Sequence, residues 1–177
     1  MAHESQKRFC EYVVKKFPEM FIDKHSLDVG SLDINGNNKF MFTGGSYLGL
    51  DLGAGPNVDI ISKGHEYDAP NDTFDVIVST ECFEHDMHYP ETLSNIIRML
   101  RPGGIFVFTC ATTGRQEHGT RRANSWAAPF LSEEWSDYYK NLTEQDIRDV
   151  MNIDAFESYE FKTDLGVCDL YFWGIKI

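Results

Sequence analysis

The run Phe74-Asp75-Val76-Ile77-Val78-Ser79 is almost continuously apolar and β-branched. A strand with water on one face alternates apolar and polar side chains. One that does not alternate is covered on both faces, as at the centre of a parallel sheet flanked by helices. Ile105-Phe106-Val107-Phe108-Thr109 has the same character. Between these runs, Pro90 and Glu91 open an amphipathic stretch with Leu93, Ile96, Ile97 and Leu100 at helical spacing, and Arg98 and Arg101 suit its C-terminal dipole. Pro102-Gly103-Gly104 is expected to stop it. A strand, a helix and a second two-sided strand make a parallel crossover unit, so the chain is of the α/β class. Ser79, Thr80 and Glu81 then sit at the carboxyl edge of the sheet, where open α/β folds bind ligands.

Upstream, Ser26-Leu27-Asp28-Val29-Gly30 and Tyr47-Leu48-Gly49-Leu50-Asp51 are two further strand-type runs, with Asp51 standing 21 positions after Gly30. That is the spacing of a nucleotide pocket. A glycine after the first strand lets backbone approach the ligand, and an acid ending the second can accept both ribose hydroxyls. The alternative is two buried strands with ordinary turns after them. Only 15 residues separate Gly30 from Ser46, and they begin with the turn-rich Ser31-Leu32-Asp33-Ile34-Asn35-Gly36-Asn37-Asn38. Gly53-Ala54-Gly55-Pro56-Asn57 then runs straight into Val58-Asp59-Ile60-Ile61. A parallel crossover needs about a dozen residues. The crossovers around strands two and three are therefore expected to be shortened, and either the connection into the third run is a tight loop or the third strand is rudimentary.

Residues 1–25 carry one N-terminal helix, with Phe9, Tyr12, Val13 and Phe17 as an apolar stripe ended by Pro18. It either closes over a ligand or packs on the sheet edge. From 110 to 141 all periodicity is lost, although Trp126, Trp135, Tyr138 and Tyr139 argue against disorder. Loops of that length are usually functional, and this one is expected on the substrate side. Thr143 caps a helix containing Ile147, Val150 and Met151, with Leu142 placed to staple onto Ile147. Aromatic-rich runs from Ser158 to Thr163 and Asp169 to Ile177 read as a closing antiparallel hairpin. At 177 residues the chain is expected to form one domain, 1–177.

Lys and Arg number 16 against 28 Asp and Glu, a formal charge of −12 that would repel a phosphate backbone, so a nucleic-acid partner is disfavoured. The four cysteines never form a Cys-x-x-Cys pair. Neither a zinc site nor a disulfide framework is expected, and reduced thiols in the cytoplasm are the default. No apolar run approaches the roughly 18 residues of a membrane span.

In this order, Phe74-Asp75-Val76-Ile77-Val78-Ser79, the pair Glu84-His85 and Leu100-Arg101-Pro102-Gly103-Gly104 resemble the class I S-adenosylmethionine-dependent methyltransferases of the small methyltransferase-domain type. The resemblance runs from about Leu27 to Thr109 and more weakly to the end. It implies a Rossmann-like, largely parallel sheet closed by the hairpin, with S-adenosylmethionine as cofactor. Carried over by position, Asp28, Gly30 and the adjoining Ser31 look like the first motif, at the methionine portion of the donor. Asp51 looks like the ribose acid and Leu52 a neighbour of the adenine. Gly64 and His65 match the adenine-edge loop, and Thr80 and Glu81 lie at the sulfonium and ammonium end. The sequence departs from the family pattern where Leu32 and Ile34 replace further glycines and where Lys63 stands for an acid.

Methyl transfer is an in-line displacement at a cationic sulfonium, for which an enzyme supplies proximity, alignment and, for a poorly acidic acceptor, a base. His85, just past the fourth strand, is the candidate base; its other reading is a histidine that orders the loop with Glu84. Glu81 holds the donor's ammonium or is solvated. His118, Tyr138 and Tyr139 contact the acceptor or anchor their own loop. Asp86 and His88 beside His85 lack further ligands, so no metal is expected. The expected activity is methyl transfer to a small-molecule or glycan-type acceptor. Its rival is a methyltransferase-like binding or regulatory domain that has lost donor turnover. A nicotinamide oxidoreductase ranks last, because residues 30 to 36 lack the Gly-x-Gly-x-x-Gly turn.

Overall fold

The computed structural model describes residues 4–131 and 134–177. The elements in chain order are α1 (Glu4–Lys16), β1 (His25–Val29), β2 (Ser46–Asp51), β3 (Ile60–Ile61), β4 (Phe74–Thr80), α2 (Tyr89–Met99), β5 (Leu100–Ala111), α3 (Glu144–Val150), β6 (Phe156–Asp164) and β7 (Asp169–Lys176). The seven strands form one sheet in the order β3-β2-β1-β4-β5-β7-β6. β1 to β5 run parallel, while β7 pairs antiparallel with both β5 and β6. The fold is thus the mixed, Rossmann-like α/β sheet with a C-terminal antiparallel hairpin.

Two-sided burial of the central strands follows from the period of two. Val76 and Val78 of β4, Ile105 and Val107 of β5, and Tyr171 and Trp173 of β7 share one face with Phe9, Cys10 and Val13 of α1. Ile77, Phe106, Phe108, Leu170 and Phe172 point to the other, where Leu93 and Ile96 of α2 and Ile147 of α3 cover them. The N-terminal helix therefore packs across a sheet face, over β4, β5 and β7, and not on the sheet edge. Its buried stripe includes Cys10 rather than Tyr12, whose ring is largely exposed and whose hydroxyl donates to Glu160 Oε2 at 3.1 Å.

The crossovers around β2 and β3 are short. Between β1 and β2 the chain makes turns and one 3-10 turn, Lys39–Met41, in place of a helix. The Asp33 carboxylate organises it by accepting from the Gly36 amide and from Asn37 Nδ2, both at 2.7 Å. β3 is two residues long, the rudimentary strand expected from the short connection before it. α2 ends at Met99, and β5 starts at Leu100 without a break, so Pro102-Gly103-Gly104 lies inside the strand. There a register shift against β4 and a left-handed Gly103 absorb the turn. α3 is closed by a full capping box, in which Asp146 N–H donates to Thr143 Oγ1 and the Thr143 amide to Asp146 Oδ2. Leu142 and Ile147 are both fully buried beside it, whereas Val150 turns outward and Met151 continues the stripe. Among the described residues, no helix is long and apolar enough to cross a membrane.

Candidate active site

The carboxyl ends of β1, β2 and β4 open into one cleft with about 970 Å³ of empty space, part of it open to solvent. Asp28, Gly30, Ser31, Asp51, Leu52, Gly64, Thr80, Glu81 and His85 all line it. Gly30 makes the turn out of β1 at φ +81°, and a Cβ there would lie 2.7 Å from both Cβ and Sγ of Cys82. The position thus needs glycine twice, for its backbone angle and for the close approach of the loops after β1 and β4. The Gly30 and Ser31 amides donate to the Leu50 carbonyl at 2.9 and 3.1 Å. The Ser31 hydroxyl donates to the Asn57 carbonyl at 2.9 Å. These bonds hold the first-motif loop against β2.

Asp51 is oriented by backbone. The Leu32 amide donates to its Oδ2 at 2.8 Å and the Leu52 amide to its Oδ1 at 2.7 Å. A carboxylate offers about four acceptor sites, so each oxygen retains one toward the cleft. Burial raises the pKa of this acid and the two amides oppose that rise.

Asp28 is almost completely buried. Its Oδ2 accepts from Asn38 Nδ2 at 3.0 Å and from the Tyr47 hydroxyl, while its Oδ1 has no partner. Asn38 Nδ2 also donates to Thr80 Oγ1 at 3.0 Å, and Asn57 Nδ2 donates to the Tyr47 hydroxyl at 2.9 Å. Desolvation pushes Asp28 up to about 6 despite these bonds. A buried carboxylate oxygen without a partner, on a residue that lines the cleft, is an acceptor still to be satisfied.

Two walls of the cleft escaped the sequence reading. Asn38 and Tyr47 orient Asp28; Tyr47 has the right strand parity, but nothing marks Asn38 beyond its turn. Ala127, Ala128, Pro129, Phe130, Leu131 and Trp135 form the cover. The Phe130 ring sits so close to Gly53 that a Cβ there would lie 2.7 Å from it, and a Cβ on Gly55 would meet Leu32 Cδ1 at 2.4 Å. Aromatic content alone hinted that the 110–141 segment packs inward.

Other expected site residues lie off the cleft or are committed to partners of their own. His65 is outside its lining and packs on His88 and Trp135, with ring centroids 4.3 and 6.1 Å away. Lys63 turns outward to Glu66 at 2.9 Å. Glu81, in a left-handed conformation at φ 53°, accepts from Thr109 Oγ1 at 3.0 Å and pairs with Arg115 at 3.2 Å, so it is neither solvated nor uncommitted. Arg115 also pairs with the buried Asp169 at 3.1 Å. His118 and Tyr139 do not line the cleft; both pack on the His85 ring, at 4.9 and 5.5 Å between centroids. Tyr138 lies apart from this group, half-buried, with its amide bonded to the Trp135 carbonyl. Asp86 lines the cleft but spends its oxygens on Thr92 Oγ1 and the His88 amide. Burial lowers His85 to about 3, so near neutral pH it is an uncharged imidazole and a weak proton acceptor.

A methyltransferase-domain family model matches residues 6–152. The chain belongs to that family. That family is the class I methyltransferases, whose cofactor is S-adenosylmethionine, in agreement with the resemblance of the chain's motifs. A curated relative, malonyl-[acyl-carrier protein] O-methyltransferase of Paenibacillus sp. (strain JDR-2), is 50% identical over 42 residues, a stretch covering 24% of this chain and 15% of that protein. Among solved structures, Burkholderia thailandensis 1,6-didemethyltoxoflavin-N1-methyltransferase superposes with a TM-score of 0.65 at 15% identity, covering 97% of this chain and 77% of its own. Haemonchus contortus phosphoethanolamine N-methyltransferase 2, in complex with S-adenosyl-L-methionine, gives 0.65 at 15% identity over 96% of this chain and 52% of its own. At such identities the structural likeness speaks for the fold.

Proposed function

We propose that this methyltransferase-family chain transfers a methyl group from S-adenosylmethionine to a small-molecule acceptor, or to a glycan-type acceptor small enough to enter beneath the 127–131 cover. The observation that carries the reading is the polarity of the cleft. The buried Asp28 and the half-buried Asp51 line it from the ends of neighbouring strands, each with acceptor capacity left over, while Leu32, Leu52 and Phe130 supply apolar wall. A donor that is zwitterionic at one end, hydroxylated in the middle and aromatic at the other suits that distribution. The catalysis asked of the chain is alignment. When bound, the donor supplies an electrophilic methyl on a sulfonium, which the acceptor attacks in line.

In this reading Asp51 accepts the ribose hydroxyls and Leu52 lies along the adenine, with Gly64 and His65 at the adenine edge. Asp28, through the Asn38 and Thr80 contacts, holds the methionine end together with Gly30 and Ser31. Glu81, neutralised by Arg115, shapes the wall near the ammonium. The cover excludes water from the reacting centre. His85 stands at the acceptor side, and His118, Tyr138 and Tyr139 belong to the segment that shapes that side. The four thiols are unpaired, which suits a reducing, cytoplasmic setting.

Isothermal calorimetry with S-adenosylmethionine and S-adenosylhomocysteine tests the reading. Micromolar binding that weakens at least about tenfold in Asp51→Ala, which removes a charged acceptor worth about 1.5–3 kcal/mol, is the expected result. No heat and no thermal shift at millimolar donor would sink it. The second reading, a binding domain without turnover, draws on the Gly30 and Ser31 amides, both of which donate to Leu50. It predicts donor binding that is weak or lost and no S-adenosylhomocysteine formed against a panel of acceptors.

A further inference from the structure

Glu84, His85 and His118 are each buried, and one ligand atom from each lies within 4.8 Å of the other two. The Glu84 side chain is inaccessible to solvent, and both of its carboxylate oxygens lack a hydrogen-bond partner. The amides of Glu84 and Ala111 lie near that carboxylate without reaching hydrogen-bond geometry. His85 Nδ1 and the Tyr139 hydroxyl are likewise buried and unpartnered, and the Tyr139 ring packs at 5.0 Å from His118 and 5.5 Å from His85. Four polar atoms without partners in one spot are costly, since buried donors and acceptors are almost always hydrogen-bonded. Among the described residues, the nearby Arg115 does not relieve this, because it pairs with Glu81 and Asp169.

The histidines are set up as neutral ligands. The Gln116 carbonyl lies 3.1 Å from His118 Nδ1, and a carbonyl can only accept. Nδ1 therefore carries the proton and Nε2 presents a lone pair, the arrangement in which a second bond fixes the tautomer of a metal-binding imidazole. Gly119, at φ +69°, brings its backbone so near His85 that a Cβ would lie 2.6 Å from Cε1, which locks the His118 loop onto the His85 ring. The Glu84 carbonyl accepts from the Lys140 amide at 2.9 Å, which ties the far end of the same segment to the site.

We propose that Glu84, His85 and His118 bind one divalent first-row transition-metal ion, of the zinc or iron(II) class, at the acceptor end of the cleft. Two imidazoles and one carboxylate are a donor set for such ions, and three protein ligands leave at least one coordination position open. His85 lines the cleft, so the open position faces it. The role of the ion rests on the methyltransferase reading: it would take an acceptor hydroxyl oxygen, lower its pKa and hold it in line. The O–H proton then passes to water, the oxygen forms a bond to the methyl carbon, and the carbon–sulfur bond breaks with its electron pair staying on sulfur.

The test uses the full chain stripped with a chelator and titrated with zinc chloride by calorimetry and with cobalt(II) chloride by visible absorption. One ion per chain with low-micromolar or tighter affinity is expected, with d–d bands of nitrogen and oxygen ligation. His118→Ala should weaken binding on the order of 100-fold, since even second-shell changes cost 10–100-fold. Glu84→Gln should do the same while circular dichroism shows both variants folded. Should Glu84→Gln fail to fold, the wild-type cobalt spectrum and His118→Ala, on a loop, still decide. Absence of a stoichiometric ion, or unchanged affinity in His118→Ala, overturns the proposal. S-adenosylmethionine binding by the metal-free chain is measured alongside. Donor binding without metal binding overturns the metal site alone, and metal binding without donor binding overturns the methyltransferase reading alone.

Discussion

Asp28 concentrates the conflict between stability and function in one side chain. Its folded pKa of about 6 lies above the 3.8 of an unburied aspartate because desolvation outweighs the bonds from Tyr47 and Asn38. Between those values the folded chain holds a proton that the unfolded chain releases, so stability falls as pH rises through the window. Above it the charged, half-satisfied carboxylate costs roughly 3 kcal/mol, a little over two units at 1.36 kcal/mol each. Asp28→Asn is therefore expected to stabilise the chain by about 1–3 kcal/mol at pH 7.5, with the gain vanishing near pH 4. The same change should weaken donor binding. Urea unfolding of both forms at the two pH values measures the first effect, and a gain that persists at pH 4 would assign it to something other than the proton.

At the scale of elements, the shortened connections decide what the site is made of. The link from β1 to β2 has no α-helix, so the first-motif loop is held by side chains and by β2, through Leu50, Asn57 and Asp51. α3 is seven residues long and relies on its ends. Thr143→Ala removes one half of the capping box and should cost about 1 kcal/mol. That reads as a fall in melting temperature of roughly 2–4 °C for a chain of this size, without loss of donor affinity. A drop in affinity comparable to that of Asp51→Ala would mean that α3 positions the cleft directly.

At the scale of the whole molecule, the cover joins parts of the chain that are distant in sequence. Phe130 packs over Gly53, and Trp135 closes the cleft beside His65. Phe130→Ala removes that lid contact while leaving both strand-end acids in place. Donor dissociation followed by stopped flow should speed up on the order of tenfold, about 1.4 kcal/mol, with little change in association, because closure acts after encounter. Equal slowing of association would show instead that Phe130 pre-forms the entrance. The sheet itself does not depend on the cover. It is built from Val76, Ile77, Val78, Phe106, Phe108 and Phe172, none of which reaches this segment.

The sequence by itself determined the layers and the strand ends. Apolar runs without alternation dictate a parallel core covered on both faces, and glycine and acid at fixed offsets mark where such strands open to a ligand. Gly30, Asp28, Asp51 and the capping of α3 were legible because each depends on neighbours along the chain. The tertiary structure decided what those residues meet. Asn38 and Tyr47 reach Asp28 from the loop and strand that follow, Arg115 takes Glu81 out of solvent, and Phe130 folds back over Gly53. The gathering of Glu84, His85 and His118 is of the same kind. Periodicity records which face of an element is buried, whereas the partner of a buried polar atom is set by an aperiodic segment whose path only packing fixes.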